Sequence, residues 1–298
     1  MRKWVFFLLL SLGHTCISCQ CTNPNLAEFE GEHYDRTEDD KKIKAKGYDE
    51  AIASKPDVSK EDVIEGNIKN NSSFLDVGLP ISDSEMQIIH RRSYSLSYNP
   101  KLKLPNWVMW HLTSEHSDGI VPRSDDYRED PDVPMPRATN DDYRSSGWSR
   151  GHMCPAGDNK WDRIAMSESF LLSNMCPQDR NLNSGLWNRI EMDCRKWAQE
   201  YGSIYIVCGP LLYNKEHETI GINKVVVPEA FFKVILCTQG NPKAIGFVVK
   251  NNAGTRKKDQ YVNTVDDVER LTGYDFFPSL PDSIEDKVEA YSNIEDWR

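Results

Sequence analysis

Trp148-Ser149-Arg150-Gly151-His152-Met153-Cys154-Pro155-Ala156-Gly157-Asp158-Asn159-Lys160-Trp161 opens the stretch whose reading decides the fold. It continues through Ser173-Asn174-Met175-Cys176-Pro177-Gln178 and closes on Leu182-Asn183-Ser184-Gly185-Leu186-Trp187-Asn188-Arg189-Ile190-Glu191. These segments gather an imidazole, two arginines, carboxamides and a carboxylate on short polar loops. The set suits phosphodiester hydrolysis. A base must take a proton from water, a hard cation must neutralise the leaving oxygen, and cationic side chains must hold the phosphate.

The surroundings of that stretch read as mixed secondary structure. Residues 183–201 form a predicted helix, because Trp187, Ile190, Cys194, Trp197, Ala198 and Tyr201 recur at three- and four-residue steps. Gly202 ends it. Asn183 at its start suits an N-cap. Glu191 lies about 12 Å further along the axis, at about 1.5 Å per residue, and its side chain leans back toward the N-terminus. Upstream, 94–98 and 106–112 read as strands, and 117–142 as a long loop rich in Asp, Arg and Pro. Downstream, the apolar run 204–208 reads as an interior strand, followed by strands over 224–227, 231–237 and 244–250. Residues 265–271 form a helix stopped by Gly273. Residues 283–291 form the last helix, with Ser283 and Asp286 as a capping box. Strands mixed with helices and joined mostly by short turns predict an α+β domain with an antiparallel sheet core flanked by helices.

The rest of the 298 residues divides in two. Met1-Arg2-Lys3 is basic and 4–12 is apolar but too short to span a bilayer, so 1–19 reads as an export signal. Cys16-Ile17-Ser18-Cys19 fits a lipoprotein processing site with Cys19 acylated, and plain cleavage is the alternative. A lipid anchor at Cys19 would be the chain's one link to a membrane. The expected location is extracytoplasmic: secreted, periplasmic or anchored. Residues 20–85 read as a polar, acidic tether. Within it, 23–85 holds 16 acidic and 8 basic side chains. Removing that −8 and the +2 of Arg2 and Lys3 from the total of −10 leaves −4 for the domain at 86–298. This excludes a broadly basic nucleic-acid footprint, so binding must rest on a local cleft and on metal. Of 8 cysteines, Cys154, Cys176, Cys194, Cys208 and Cys237 fall in the domain. An oxidising compartment permits disulfides, yet an odd number leaves one over, and buried small hydrophobes are the other reading.

The three motifs together resemble the DNA/RNA non-specific endonucleases, the ββα-metal (His-Me finger) nuclease fold. That family reads Asp-Arg-Gly-His, then Ser-Asn-x-x-Pro-Gln, then Leu-Asn-x-x-x-Trp-x-x-x-Glu. This chain departs only at Ser149, which stands where the family has Asp. The similarity runs from about Met86 to about Tyr291. It implies that His152 is the general base and that Asn183 holds Mg²⁺, with Mn²⁺ the alternative ion. It implies that Glu191 reaches a water of that ion, that Arg150 and Arg123 act on the phosphate, and that Asn174 fixes the site by hydrogen bonds. Arg128 competes with Arg123 because loop lengths differ. The implied substrates are DNA and RNA, cut to 5′-phosphate and 3′-hydroxyl ends without strong sequence preference.

Blander readings stand beside these. His152 suits a structural loop histidine, Glu191 an exposed surface carboxylate, and Arg150 a surface salt bridge. Two other functions fit the same fold: an inactive surface lipoprotein that binds nucleic acid or another polyanion, and a phosphodiesterase of small phosphoesters. The joint presence of His152, Asn183 and Glu191 speaks against an inactive protein.

Overall fold

Leu104–Thr113 is buried on both sides, and its alternation lays out the architecture. Val108, Trp110 and Leu112 belong to one apolar cluster, and Trp107 and Met109 to another. Successive side chains of a strand point to opposite faces, so this sheet carries a covering layer on each side. The computed structural model describes residues 77–82, 87–254 and 256–298. The export segment expected at 1–19, with Cys19, lies outside the described residues, as do residues 20–76 and 83–85 of the expected tether.

In chain order the strands are β1 (Gln87–His90), β2 (Tyr94–Asn99), β3 (Leu104–Thr113), β4 (Ser149–His152), β5 (Met175–Gln178), β6 (Ser203–Leu211), β7 (Thr219–Ile220), β8 (Val225–Val226), β9 (Ala230–Cys237), β10 (Lys243–Lys250) and β11 (Val262–Asn263). Seven of them form one sheet in the order β1-β2-β3-β6-β9-β10-β11. Every neighbouring pair is antiparallel. The fold is therefore α+β, with β6 as the interior strand that its apolar run suggested. The expected strand at 224–227 is shorter than read. Only Val225 and Val226 pair, with β7 and outside the main sheet. Lys224 sits at a positive φ of 57°, which turns the backbone and stops the strand there.

One face of the sheet carries the site layer. Ile204, Ile206, Cys208, Phe231 and Ile235 share a cluster with Ile190, Cys194 and Trp197 of the long helix α2 (Asn188–Tyr201) and with Trp187 just ahead of it. A shorter helix, α1 (Arg163–Glu168), precedes β5. The opposite face is covered by α3 (Val265–Thr272) and α4 (Asp282–Glu289), through Val265, Val268 and Val288 with Phe276 and Phe277. Thr264 caps α3 by accepting from the Asp267 N–H, and Gly273 ends it at φ 67°.

Three further sequence expectations change. The helix predicted to begin at Asn183 begins a turn earlier, at Arg180, because the Asp179 carboxylate accepts the Asn181 and Leu182 N–H groups. Asn183 is thus already helical, donating its own N–H to the Asp179 carbonyl at 2.9 Å, and is not the N-cap. The last helix starts at Asp282 with Pro281 in the capping position, so Ser283 lies inside the helix and forms no capping box. The domain begins before residue 86. Val77 is 1% exposed against Trp107 and Phe276, and the Ile81 N–H and carbonyl pair with Asp275 at 3.1 and 3.0 Å. Of the two readings open for the cysteines, the structure takes the second: Cys154, Cys176, Cys194, Cys208 and Cys237 are all free, buried thiols that pack as small apolar groups.

Candidate active site

The first two motifs meet because β4 and β5 pair. Arg150 lies opposite Pro177, Gly151 opposite Cys176, and His152 opposite Met175. Gly151 is there for close approach. A Cβ at that position would fall 2.3 Å from Gln178 Oε1 and 2.6 Å from Gln178 Cβ. With β4, β5 and the helix that follows, the chain builds a two-strand and helix unit on the site face of the sheet.

His152 ends β4 only 8% exposed. Its ring meets the edges of Tyr127 and Phe170, with centroids 5.8 and 4.9 Å away. Its Nε2 is buried and takes no hydrogen bond. Burial, and then the nearby Arg123 guanidinium, push its pKa down to about 3. The imidazole is therefore neutral at ordinary pH, and its unengaged nitrogen is available as a proton acceptor.

Asn174 is fully buried and all its polar atoms are occupied. Its Oδ1 accepts from the Cys154 N–H at 2.9 Å, and its Nδ2 donates to the Cys154 and Ser169 carbonyls, each at 2.9 Å. The Asn174 carbonyl also accepts from the Met153 N–H at 3.0 Å. These bonds grip the two residues that follow His152, so Asn174 is a positioning residue rather than a ligand.

Arg150 lies between two tyrosine rings, with its guanidinium carbon 5.1 Å from the Tyr127 centroid and 5.3 Å from that of Tyr143. It donates to the Asn140 carbonyl at 3.2 Å. It lines an open cleft of about 480 Å³ together with Arg144, Arg180, Tyr127, Tyr143 and Asn183. Among the described residues no carboxylate lines that cleft, and Ser149, the departure from the family motif, is part of its wall. A carboxylate at 149 would set a negative charge among three arginines. The two candidate loop arginines separate clearly. Arg123 lies over Phe170 at 4.8 Å, donates to Tyr127 Oη at 3.0 Å and pairs with Asp125. Arg128 instead donates to Asp126 Oδ2 and to the Ser167 carbonyl, away from the imidazole. Arg123 is thus the arginine beside His152.

Asn183 stands in a π-helical segment, Asn183–Trp187, that interrupts the helix between Arg180–Leu182 and α2. Such turns change the angular relation of the residues on either side and recur at functional sites. The straight α-helical spacing expected between Asn183 and Glu191 therefore does not apply. Glu191 is half-buried on α2, and burial lifts its pKa to about 7 against the opposing pull of Lys233. Lys233 itself is wholly buried on β9, with its ammonium 4.5 Å from the Trp187 ring and 5.0 Å from the Trp110 ring.

Three residues absent from the sequence reading support this arrangement. Asp158, 2% exposed, accepts from Arg195 at 2.8 Å and from Trp110 Nε1 at 3.0 Å. That bond ties the loop after His152 to α2. Arg195 is one helical turn beyond Glu191, a spacing that puts both on one face and was visible in the sequence. Lys233 had no signal, since it sits in an apolar strand where only tertiary packing shows the aromatic cage.

Fold and site together set a two-strand and helix unit, with a buried imidazole and an arginine-lined cleft, on one side of an antiparallel sheet. Residues 70–283 match the family model for DNA/RNA non-specific endonucleases. The chain belongs to that family. It is 38% identical over 220 residues to mitochondrial nuclease EXOG of Xenopus laevis, covering 68% of this chain and 61% of that protein. It is 34% identical over 209 residues to mitochondrial endonuclease G of Homo sapiens, covering 65% and 70%. It is 35% identical over 229 residues to nuclease C1 of Cunninghamella echinulata var. echinulata, covering 71% and 90%. A chain in the crystal structure of the EndoG/EndoGI complex superposes with a TM-score of 0.65 at 32% identity, covering 70% of this chain and 92% of that one. The chain spans about three fifths of the length of the EXOG relatives, 61% and 60% for the frog and human proteins.

Proposed function

We propose that this protein is an endonuclease that hydrolyses phosphodiester bonds of DNA and RNA with little sequence preference, using His152 as general base and one Mg²⁺-type ion. The observation that carries the reading is a buried, neutral imidazole with an unengaged Nε2 beside an arginine-lined cleft that also contains Asn183.

His152 would accept the proton of the attacking water at Nε2, while the rings of Tyr127 and Phe170 hold its plane. Arg150, Arg144 and Arg180 would bind phosphates along the cleft. Contacts to phosphate position a nucleic acid without reading its sequence. Arg150 and Arg123 would stabilise the charge that develops on the phosphorus oxygens. The donor set fits a hard cation. Asn183 has a side-chain amide oxygen at the cleft that no backbone cap consumes, and Glu191 lies within electrostatic reach of Arg123. Asn183 would hold Mg²⁺, with Mn²⁺ as the alternative ion, water would complete the shell, and Glu191 would accept from one of those waters. When bound, such an ion supplies charge neutralisation for the leaving oxygen. Export, with or without acylation of Cys19, belongs to the same proposal and rests on Arg2-Lys3 followed by the apolar run 4–12.

A closed circular plasmid incubated with the protein, with and without EDTA, tests the proposal, beside a small chromogenic diester. Nicking that needs a divalent ion and far exceeds diester turnover is expected. His152→Ala should lower nicking by about 10²–10⁴-fold. Wild-type nicking that persists in EDTA, or a His152→Ala protein as fast as wild type, would overturn the mechanism. Binding without cleavage would instead favour a polyanion-binding protein, and diester turnover alone a small-molecule phosphodiesterase.

A further inference from the structure

A second group of carboxylates lies across the sheet from the cleft. Asp266 and Glu269 of α3 and Glu289 at the end of α4 each place one oxygen so that all three lie within 4.8 Å of one another. Carboxylates repel at that separation unless a proton or a cation stands among them. Glu289 is 8% exposed, and its Oε1 is buried and takes no hydrogen bond. Leaving a buried carboxylate oxygen unpartnered is costly. Glu269 spends Oε1 on the Phe276 N–H, at 2.8 Å.

The neighbouring cation is committed elsewhere. Arg270 pairs with Asp267 at 2.9 Å. Glu285, Asp275 and Asp286 add further negative charge nearby. The crowding sits where two helices meet, so whatever neutralises it also fastens α4 to α3.

We propose that Asp266, Glu269 and Glu289 form a binding site for a divalent cation of the calcium type, distinct from the catalytic centre and serving to pin α4 against α3. Three convergent carboxylate oxygens in a partly open setting suit Ca²⁺, which takes six to eight oxygen ligands in flexible geometry and accepts water for the remainder. The absence of thiol and imidazole from the group argues against zinc or copper. The side of the sheet separates this site from the nuclease ion. α3 and α4 pack on the Trp107, Met109 and Phe232 face, whereas α2 packs on the Val108 and Trp110 face.

The test uses the full chain, with Ca²⁺ alone as the probe. Thermal unfolding is followed in EDTA and in saturating Ca²⁺, and bound Ca²⁺ is counted by equilibrium dialysis. A ligand that binds only the native state at roughly a hundredfold over its Kd should raise Tm by about 5 °C or more in a domain of this size. Wild type and Asn183→Ala should both show that rise, since Asn183 lies across the sheet. Asp266→Asn, an exposed and isosteric change, should lose it together with one equivalent of bound Ca²⁺. Glu289→Gln should do the same, and plasmid nicking in Mg²⁺ should be unchanged in both. An equal Tm for wild type in EDTA and Ca²⁺, or a Ca²⁺ response retained by both Asp266→Asn and Glu289→Gln, would overturn the site. A response lost only in Asn183→Ala would assign the stabilising ion to the cleft and overturn it equally.

Discussion

His152 shows how one residue couples folding to chemistry. Its burial against Phe170 and Tyr127, with Arg123 adjacent, holds the folded pKa at about 3, while the unfolded chain has about 6.5. The native state thus excludes a proton that the unfolded chain takes up. The stability tied to that group is fully present above about pH 6.5 and is lost as pH falls toward about 3. In EDTA, the drop in Tm between pH 7 and pH 5 should therefore be smaller for His152→Gln than for wild type. Equal drops in the two proteins would show that the imidazole protonates freely in the folded state.

At the scale of elements, the helix that carries Asn183 and Glu191 starts on Asp179, whose carboxylate accepts two N–H groups. Asp179→Ala should cost about 1 kcal/mol, the usual worth of an N-cap. Asn183→Ala should cost much less stability than that, and should instead raise the Mg²⁺ concentration that nicking requires. A thermal melt and an Mg²⁺ titration read the two effects separately, and a destabilised Asn183→Ala with normal ion demand would return the cap to residue 183. Where β4 meets β5, Gly151→Ala drives a methyl into Gln178. Such overpacking typically costs about 1–3 kcal/mol, and here it also displaces His152, the next residue. Chemical denaturation and nicking should both register it. A Gly151→Ala protein as stable and as active as wild type would mean that the two strands are not held this close.

For the whole molecule, Val77 shares an apolar cluster with the α3 and α4 layer and so belongs to the domain. A protein cut back to start at residue 83 loses Val77 and the Ile81–Asp275 pairing, which one starting at residue 70 keeps. Burying one valine is worth about 1.5–3 kcal/mol, so the shorter protein should unfold at lower denaturant than the longer one. Coincident denaturation curves for the two truncations would return the boundary to residue 86. The acidic balance is a property of the same scale. A net charge of −10 in the chain coexists with a cleft lined by Arg144, Arg150 and Arg180 and no carboxylate. Charge at the site is local, and the total conceals it.

The sequence alone determined what depends on local order. Apolar periodicity marked α2, Gly273 marked the end of α3, apolar and aromatic runs marked β3, β6, β9 and β10, and linked motifs at set spacings marked the family and pointed to His152, Asn174, Asn183 and Glu191. The strand at 224–227 and the caps of two helices were misread because competing neighbours decide them: a positive φ at Lys224, and Asp179 or Pro281 in the capping positions. Tertiary structure alone decided which distant groups share a volume. It placed Arg123 rather than Arg128 beside the imidazole, joined Asp158 to Arg195, enclosed Lys233 between two tryptophans, and brought Glu289 to Asp266 and Glu269. Those outcomes follow from how a twisted sheet and its two covering layers pack, and packing sums over contacts between residues far apart in the chain. No window of sequence contains that sum.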